Sequence, residues 1–145
     1  MTDSQYKAKK WLVSYRRFYR QIISKRNLLE ALEATVNKCI STYESDGTNS
    51  RDVELSKQKY EDALLEYSKQ RAELEQKEAE LIARTNEVAN AVGQLSDPDH
   101  MDIATDLYLK NMTWEQCWNE LHISKATLDR KHKDMLTELA KILKM

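Results

Sequence analysis

Apolar residues recur at every seventh position through most of the first two thirds of the chain. Between residues 53 and 95 the repeat is unbroken and consists of Val53, Tyr60, Tyr67, Leu74, Leu81, Val88 and Leu95. The segment before it carries two such series, Tyr15, Ile22, Leu29, Val36 and Tyr43, and Trp11, Phe18, Lys25, Leu32 and Cys39. A seven-residue repeat places its side chains along one stripe of an α-helix. The sequence therefore predicts two long helices, over about 7–43 and 52–95.

The segment between the two repeats, 44–51, is polar and contains turn-forming residues, Gly47 among them. The whole chain has only two Gly and one Pro, the residues that most often interrupt helices. Two long helices joined by a short loop pack most simply as an antiparallel hairpin. We therefore expect an all-α protein in which residues 1–95 form a long, coiled-coil-like helical hairpin, or stalk.

Two features of the repeats concern partners and register. Lys25 is the charged member of its series, and it either selects the register of the helix pair or lays its aliphatic stem over the apolar seam; we favour the second interpretation. The second helix has a weak companion series, because Lys57, Arg71, Glu78 and Thr85 stand at four of its positions. One partner helix is not expected to cover this stripe fully. We therefore predict a homo-oligomer, most simply a homodimer.

Residues 96–145 carry the start signals of three shorter helices. Asp97 with Pro98, Thr113 with Gln116, and Ser124 each match the sequence preferences of a helix N-terminus. The apolar residues expected to face inward are Met101, Ala104, Leu107 and Tyr108 in the first helix and Leu128, Met135, Leu139 and Ile142 in the last. The pattern predicts a compact C-terminal three-helix module whose second helix ends near Leu121.

Three helices whose last two are joined by the short turn 121–124 have the layout of a helix-turn-helix DNA-binding module. The segments 95–98, 108–116 and 121–128 resemble the fourth region of bacterial primary sigma factors. The chain as a whole resembles the phage-encoded ArpU/RinA-type regulators, sigma-like activators of late phage genes. For the stalk, the resemblance is one of pattern and length. It implies a transcription regulator that binds double-stranded promoter DNA or engages RNA polymerase.

In that family the last helix enters the DNA major groove. By this resemblance, Lys125, Ala126, Arg130 and Lys133 contact bases and phosphates. Ser124 and Thr127, with the first amides of the helix, hold phosphates, and Lys131 contacts the DNA backbone from the flank. Asp129 lies on the same presumed reading face.

Four residues depart from the family pattern, and one of them, Lys131, stands where an apolar core residue is usual. Asn111 and His122 stand where the family often has Gly, and both residue types tolerate the left-handed backbone better than most. Trp118 stands where a small residue usually lets the two helices approach. We expect Trp118 to be largely buried, beside Leu121 and Leu128.

The charge is unevenly distributed although the formal net charge is only −1. Residues 1–26 contain eight basic side chains and one acidic side chain, Asp3. The basic side chains are Lys7, Lys9, Lys10, Arg16, Arg17, Arg20, Lys25 and Arg26. Such an end suggests an anionic partner or, equally, a solvated helix face.

Several classes of protein are not expected. Two glycines cannot build a phosphate-cradling loop, the three histidines are scattered, and no Ser or Cys has an evident base, so we predict no enzyme and no cofactor. Cys117 and His122 lack a second pair of ligands for zinc. Cys39 and Cys117 occur singly and are expected to be free thiols in the cytoplasm, that of the bacterial host if the protein is phage-encoded. No apolar run reaches the roughly 20 residues of a membrane span.

The sequence leaves three functions open. The favoured one is a sequence-specific DNA-binding transcription regulator, most simply of phage late genes. The second is a protein-interaction module, an adaptor or inhibitor that docks on another protein through the stalk and the diverged motif; near-neutral charge, Trp118 and Asp129 favour it. The third is a small terminase-like packaging subunit, which also combines a helix-turn-helix with oligomerising helices.

Overall fold

The computed structural model describes the backbone of residues 1–45 and 50–145 and the side chains of residues 1–38, 54–55 and 57–145. Within these residues the secondary structure is helical and contains no strand, which confirms the all-α prediction. The helices are α1 (Asp3–Ser45), α2 (Ser50–Gly93), α3 (Pro98–Ala104), α4 (Trp114–Glu120) and α5 (Lys125–Ile142). A five-residue π-helical segment, Thr105–Leu109, continues α3.

The chain divides into two compact units. Unit 1 contains residues 1–19 and 81–145, and unit 2 contains residues 20–80. The hairpin arrangement, and the boundary expected between residues 95 and 96, stay predictions. Of the expected loop 44–51, residues 46–49 lie outside the described residues, whereas 44–45 and 50–51 belong to the two helices.

The first helix begins four residues earlier than the repeat predicts, because Thr2 caps it. The Thr2 hydroxyl accepts from the backbone N–H of Gln5 at 3.2 Å, and the Gln5 side chain accepts from the backbone N–H of Thr2 at 2.9 Å. This reciprocal pair is a capping box and satisfies two otherwise unpaired donors. The second helix ends at Gly93, two residues earlier than expected.

The core of unit 1 is built from both ends of the chain. Its fully buried apolar side chains include Ala8 and Leu12 of α1, together with Ile103, Leu107, Cys117, Leu128, Met135, Leu136 and Leu139 of the C-terminal part. From the long repeats, Tyr15, Leu81, Val88 and Leu95 are buried in this unit. The Tyr15 hydroxyl lies 3.1 Å from the Thr85 hydroxyl, so α1 and α2 are in contact here.

Unit 2 has a narrower buried stripe. Ile22, Val36 and Leu74 are buried, whereas Leu29, Tyr60 and Tyr67 are half-buried. Lys25, the charged residue of the repeat, forms an ion pair with Glu73 of α2 at 2.8 Å. The hydrogen bond from Lys25 lowers the pKa of Glu73. Lys25 thus joins the two helices through its charge, and the interpretation that its stem covers the seam stays a prediction.

The C-terminal helices begin where the sequence predicts. The Asp97 side chain accepts from the backbone N–H of Asp99 and caps α3, with Pro98 at the first helical position. Met101 is half-buried, and Ala104, Leu107 and Tyr108 are buried. The widened π turn that follows carries three consecutive buried residues, Asp106, Leu107 and Tyr108. A regular α-helix does not keep three successive side chains on one face, so the heptad and 3.6-residue patterns do not predict this segment.

Candidate nucleic-acid interface

The helix α4 is fixed at its start by the predicted capping box. The Thr113 hydroxyl accepts from the backbone N–H of Gln116 at 3.1 Å, and the Gln116 side chain accepts from the backbone N–H of Thr113 at 2.9 Å. The preceding Asn111 has φ 55° and therefore adopts the left-handed backbone, as expected. These local interactions determine where α4 starts and which of its sides faces the core.

The connection from α4 to α5 is a four-residue turn, 121–124. His122 has φ 54°, and the backbone N–H of Ile123 donates to the Trp118 carbonyl at 3.0 Å, which closes the end of α4. The Ser124 hydroxyl then accepts from the backbone N–H of Thr127 at 3.1 Å and lies 2.8 Å from the Thr127 hydroxyl. Both predicted phosphate ligands therefore lie at the first turn of α5, where Ser124 is exposed and Thr127 is half-buried.

The outward face of α5 gathers most of the predicted DNA contacts. Lys125, Ala126 and Arg130 are exposed, and Lys133 is half-buried. Asp129 lies among them and forms an ion pair with Lys133 at 3.1 Å. An ion pair between surface residues four apart stabilises a helix only weakly, so Lys133 remains available to bind a phosphate. We call Lys125, Ala126, Asp129, Arg130 and Lys133 the α5 outer face.

Lys131 lies apart from this face. Its ammonium is 2.5 Å from the Asp99 carboxylate of α3, and its side chain is only 28% exposed. The hydrogen bond from Lys131 lowers the pKa of Asp99. Lys131 is therefore placed to join α3 to α5, and a contact with the DNA backbone requires that this pair opens.

The inward face of α5 contains a polar residue that the sequence analysis did not single out. His132 is 2% exposed and lies among the buried residues Leu128, Met135 and Leu136. Its Nε2 is 2.8 Å from the Tyr108 hydroxyl of the π turn, and the Trp114 ring meets it edge-on with centroids 4.8 Å apart. His132 lies four residues after Leu128 and three before Met135, so it falls on the inward stripe of α5. This spacing in the sequence could have predicted its burial.

Burial governs the protonation of this pair. It lowers the pKa of His132 to about 4, and the nearby positive charge of Lys9 acts in the same direction. Burial also raises the pKa of Tyr108 to about 12, although Arg16 opposes the shift. Both side chains are therefore neutral near pH 7, and one hydrogen bond satisfies two polar groups inside the core.

The burial of Trp118 in α4 differs from the expectation. Trp118 is half-buried rather than largely buried, and Cys117 is the fully buried residue of α4. In a helix of two turns, the capping box at Thr113 directs Cys117 inward and leaves Trp118 at the edge. Burial raises the pKa of the Cys117 thiol to about 11, which makes this free cysteine an unreactive core residue.

Trp114 is the most exposed large aromatic of the C-terminal helices, at 37%. With Lys125, Ala126 and Asp129 it lines a surface hollow at the start of α5. The hollow therefore borders the α5 outer face and offers an apolar surface next to charged groups.

A second polar cluster fixes the start of α3 against α5. The Glu138 carboxylate accepts from the backbone N–H and hydroxyl of Ser96 and lies 2.8 Å from His100 Nδ1. The Ser96 backbone hydrogen bond is the main cause that lowers the pKa of Glu138. With the Lys131 pair, this cluster anchors the start of α3 to α5 and so helps to orient the outer face.

Among the described residues, no three His, Cys, Asp or Glu side chains are grouped to hold a metal ion. The described helices also include none with an apolar stretch sufficient to cross a membrane.

No curated protein and no solved structure matches the chain. Residues 47–140, the greater part of the sequence, match the model of a family described as "Protein of unknown function (DUF1492)". The matched range includes α3, α4 and nearly all of α5. The chain therefore belongs to the DUF1492 family.

Proposed function

We propose that this protein is a DNA-binding transcription regulator in which α5 reads the major groove of double-stranded DNA. The observation that carries the proposal is the α5 outer face: Lys125, Ala126 and Arg130 are exposed on a helix whose start is capped and whose back is packed. Among the described residues, no carboxylate lies within ion-pair distance of Arg130. An arginine free to form two parallel hydrogen bonds suits guanine, and the small Ala126 suits a thymine methyl group.

The resemblance to sigma region four and to ArpU/RinA-type regulators supports the finer proposal. On that basis the protein acts on phage late promoters in the bacterial cytoplasm and contacts RNA polymerase. The left-handed residues Asn111 and His122 support the resemblance, because they preserve the turns where that pattern often has Gly.

A selection experiment tests the proposed function without a known target. The full-length protein is incubated with a pool of randomised DNA duplexes, and retained molecules are amplified and sequenced over several rounds. We expect one related set of sequences to be enriched, and binding to weaken steeply as salt rises, because phosphate contacts release counterions. A pool that stays random, with no salt-dependent retention, contradicts the proposal.

A second candidate function is docking on another protein, and the hollow beside Trp114 favours it. An exposed Trp bordered by charged residues is typical of a binding hot spot between proteins. This surface overlaps the α5 outer face at Lys125, Ala126 and Asp129. Failure of the selection experiment would therefore favour a protein partner for the same end of α5.

We further propose that the protein is a homodimer, joined through unit 2. This unit leaves four leucines exposed, and Leu65 is the most exposed at 72%. The others are Leu28, Leu55 and Leu64. Apolar side chains that one chain leaves in water are candidates for burial against a second copy.

Sedimentation equilibrium of the full chain at micromolar concentration tests the dimer. We expect twice the monomer mass for the parent, and a shift towards monomer for the double variant Leu64→Ser/Leu65→Ser. A matched control, Ile82→Ser, removes an exposed apolar residue of unit 1 and is expected to leave the mass unchanged. A monomeric parent contradicts the proposal.

A further inference from the structure

The start of α1 is attached to α5 at the end of its outer face. The Gln5 side-chain amide donates to the backbone carbonyl of Lys133 at 3.1 Å and to the Thr137 hydroxyl at 2.7 Å. Both partners lie on α5, and all three residues belong to unit 1. The first turns of α1 are therefore held beside Lys133.

This attachment brings basic residues of α1 next to the α5 outer face. Lys9 is one turn beyond Gln5 and so projects from the same side of the helix. Its charge acts on His132, the residue that precedes Lys133. Lys9 therefore adds a positive charge on the side of α1 that contacts α5.

Two more cations lie on the solvent-facing side of α1, opposite its buried residues Ala8 and Leu12. Lys10 and Arg17 are both exposed and, seven residues apart, share one side of the helix. The described residues offer neither of them a carboxylate at ion-pair distance, and Asp3 is the only acidic residue among residues 1–19.

The other two cations of this segment have structural partners. Lys7 pairs with Asp3 at 3.6 Å. Arg16 donates to the Leu107 carbonyl at 3.5 Å and lies over the Tyr108 ring at 5.8 Å from its centroid. Arg16 therefore helps to hold the π turn and is not part of the exposed positive surface of α1.

We propose that Lys9, Lys10 and Arg17 form a second DNA-binding element, which holds the phosphate backbone beside the bases that α5 reads. The inference rests on the proposed function. Three like charges without anionic neighbours repel one another in the free protein, and a row of phosphates relieves that repulsion. Contacts of this kind are independent of base sequence, so the element supplies affinity and position, whereas Arg130 supplies specificity.

The salt dependence of DNA binding tests this division. For the triple variant Lys9→Gln/Lys10→Gln/Arg17→Gln, we expect the slope of log affinity against log salt to decrease by about two to three, since each lost phosphate contact contributes about 0.9. The affinity ratio between the selected sequence and a scrambled duplex is expected to stay as in the parent. Gln retains good helix propensity, and circular dichroism checks that the variant is folded.

Two further variants complete the test, a charge control on α2 and a double variant on α1. Lys57→Gln/Lys59→Gln/Lys69→Gln removes the same charge from exposed positions of α2 and is expected to leave the slope nearly unchanged. Lys10→Gln/Arg17→Gln changes only exposed side chains, and we expect it to lower the slope by about two even if the triple variant folds poorly.

The possible failures are distinguishable. If the parent binds its selected sequence and the basic variants keep the parent's slope, as the α2 control does, the proposed α1 element is wrong and the proposed function stands. If the parent shows no salt-dependent binding to any duplex, the proposed function fails and the α1 element fails with it.

Discussion

Acidification from pH 7 to pH 5 is expected to destabilise the protein by about 2 kcal/mol through His132 alone. In the unfolded chain this histidine has its ordinary pKa of 6.5, whereas burial lowers it to about 4 in the folded protein. Between these values the unfolded state binds the proton that the folded state excludes. The stabilisation is therefore complete above pH 6.5 and lost as the pH falls toward 4, and its full size is about 3 kcal/mol.

The measurement is urea unfolding followed by circular dichroism at pH 7 and pH 5, on the parent and on His132→Gln. Gln retains a hydrogen-bonding side chain for Tyr108 but does not titrate. We therefore expect the free energy of unfolding of this variant to fall by about 2 kcal/mol less than that of the parent between pH 7 and pH 5. Tyr108, the hydrogen-bond partner of His132, has its pKa raised to about 12 and therefore does not titrate in this interval. Identical pH dependence in both proteins contradicts the assignment.

A direct titration gives a second reading, independent of whether the variant folds. The imidazole proton resonance of His132 in the folded parent should move with a midpoint near pH 4. Because Trp114 contacts the same ring, its fluorescence is expected to change with that midpoint. A midpoint near 6.5 would show that His132 is solvated.

The features that the sequence predicted well are those set by neighbours in the chain. The caps at Asp97, Thr113 and Ser124 depend on side chains within three residues of the helix start, and each is present. The left-handed backbone at Asn111 and His122 follows from residue type and position in a turn. Such preferences need no knowledge of the tertiary structure.

The features that the sequence did not predict join residues far apart in the chain. Gln5 reaches Thr137 and Lys131 reaches Asp99 across helices whose packing no single helix pattern specifies. The hydrogen bond between Tyr108 and His132 depends on a π turn that the 3.6-residue period does not describe. For the candidate site, the exposure of Lys125, Ala126 and Arg130 follows from the helical period, whereas the pairing of Lys131 and the approach of α1 required the structure.

Replacing Arg130 with alanine is expected to weaken binding to the selected sequence by about 1–3 kcal/mol and to blur the preference at one base position. The physical reason is the loss of a guanidinium that is exposed and lacks a carboxylate partner among the described residues. Thermal stability is expected to stay near that of the parent, because the side chain lies outside the core.

Two neighbouring substitutions serve as controls on the same helix. Lys133→Ala is expected to weaken all sequences alike and to lower the salt slope by about one, as loss of a phosphate contact does. Asp129→Asn removes a negative charge from the face and frees Lys133 from its ion pair, so non-specific affinity is expected to rise.

The central claim, that α5 reads DNA, is tested most directly by the affinity of Arg130→Ala for the selected duplex and for its single-base variants at one salt concentration. We predict that the loss concentrates on one base position, where the parent discriminates and the variant does not. If Arg130→Ala binds every duplex as the parent does, α5 is not a recognition helix, and its outer face is better described as a docking surface for protein.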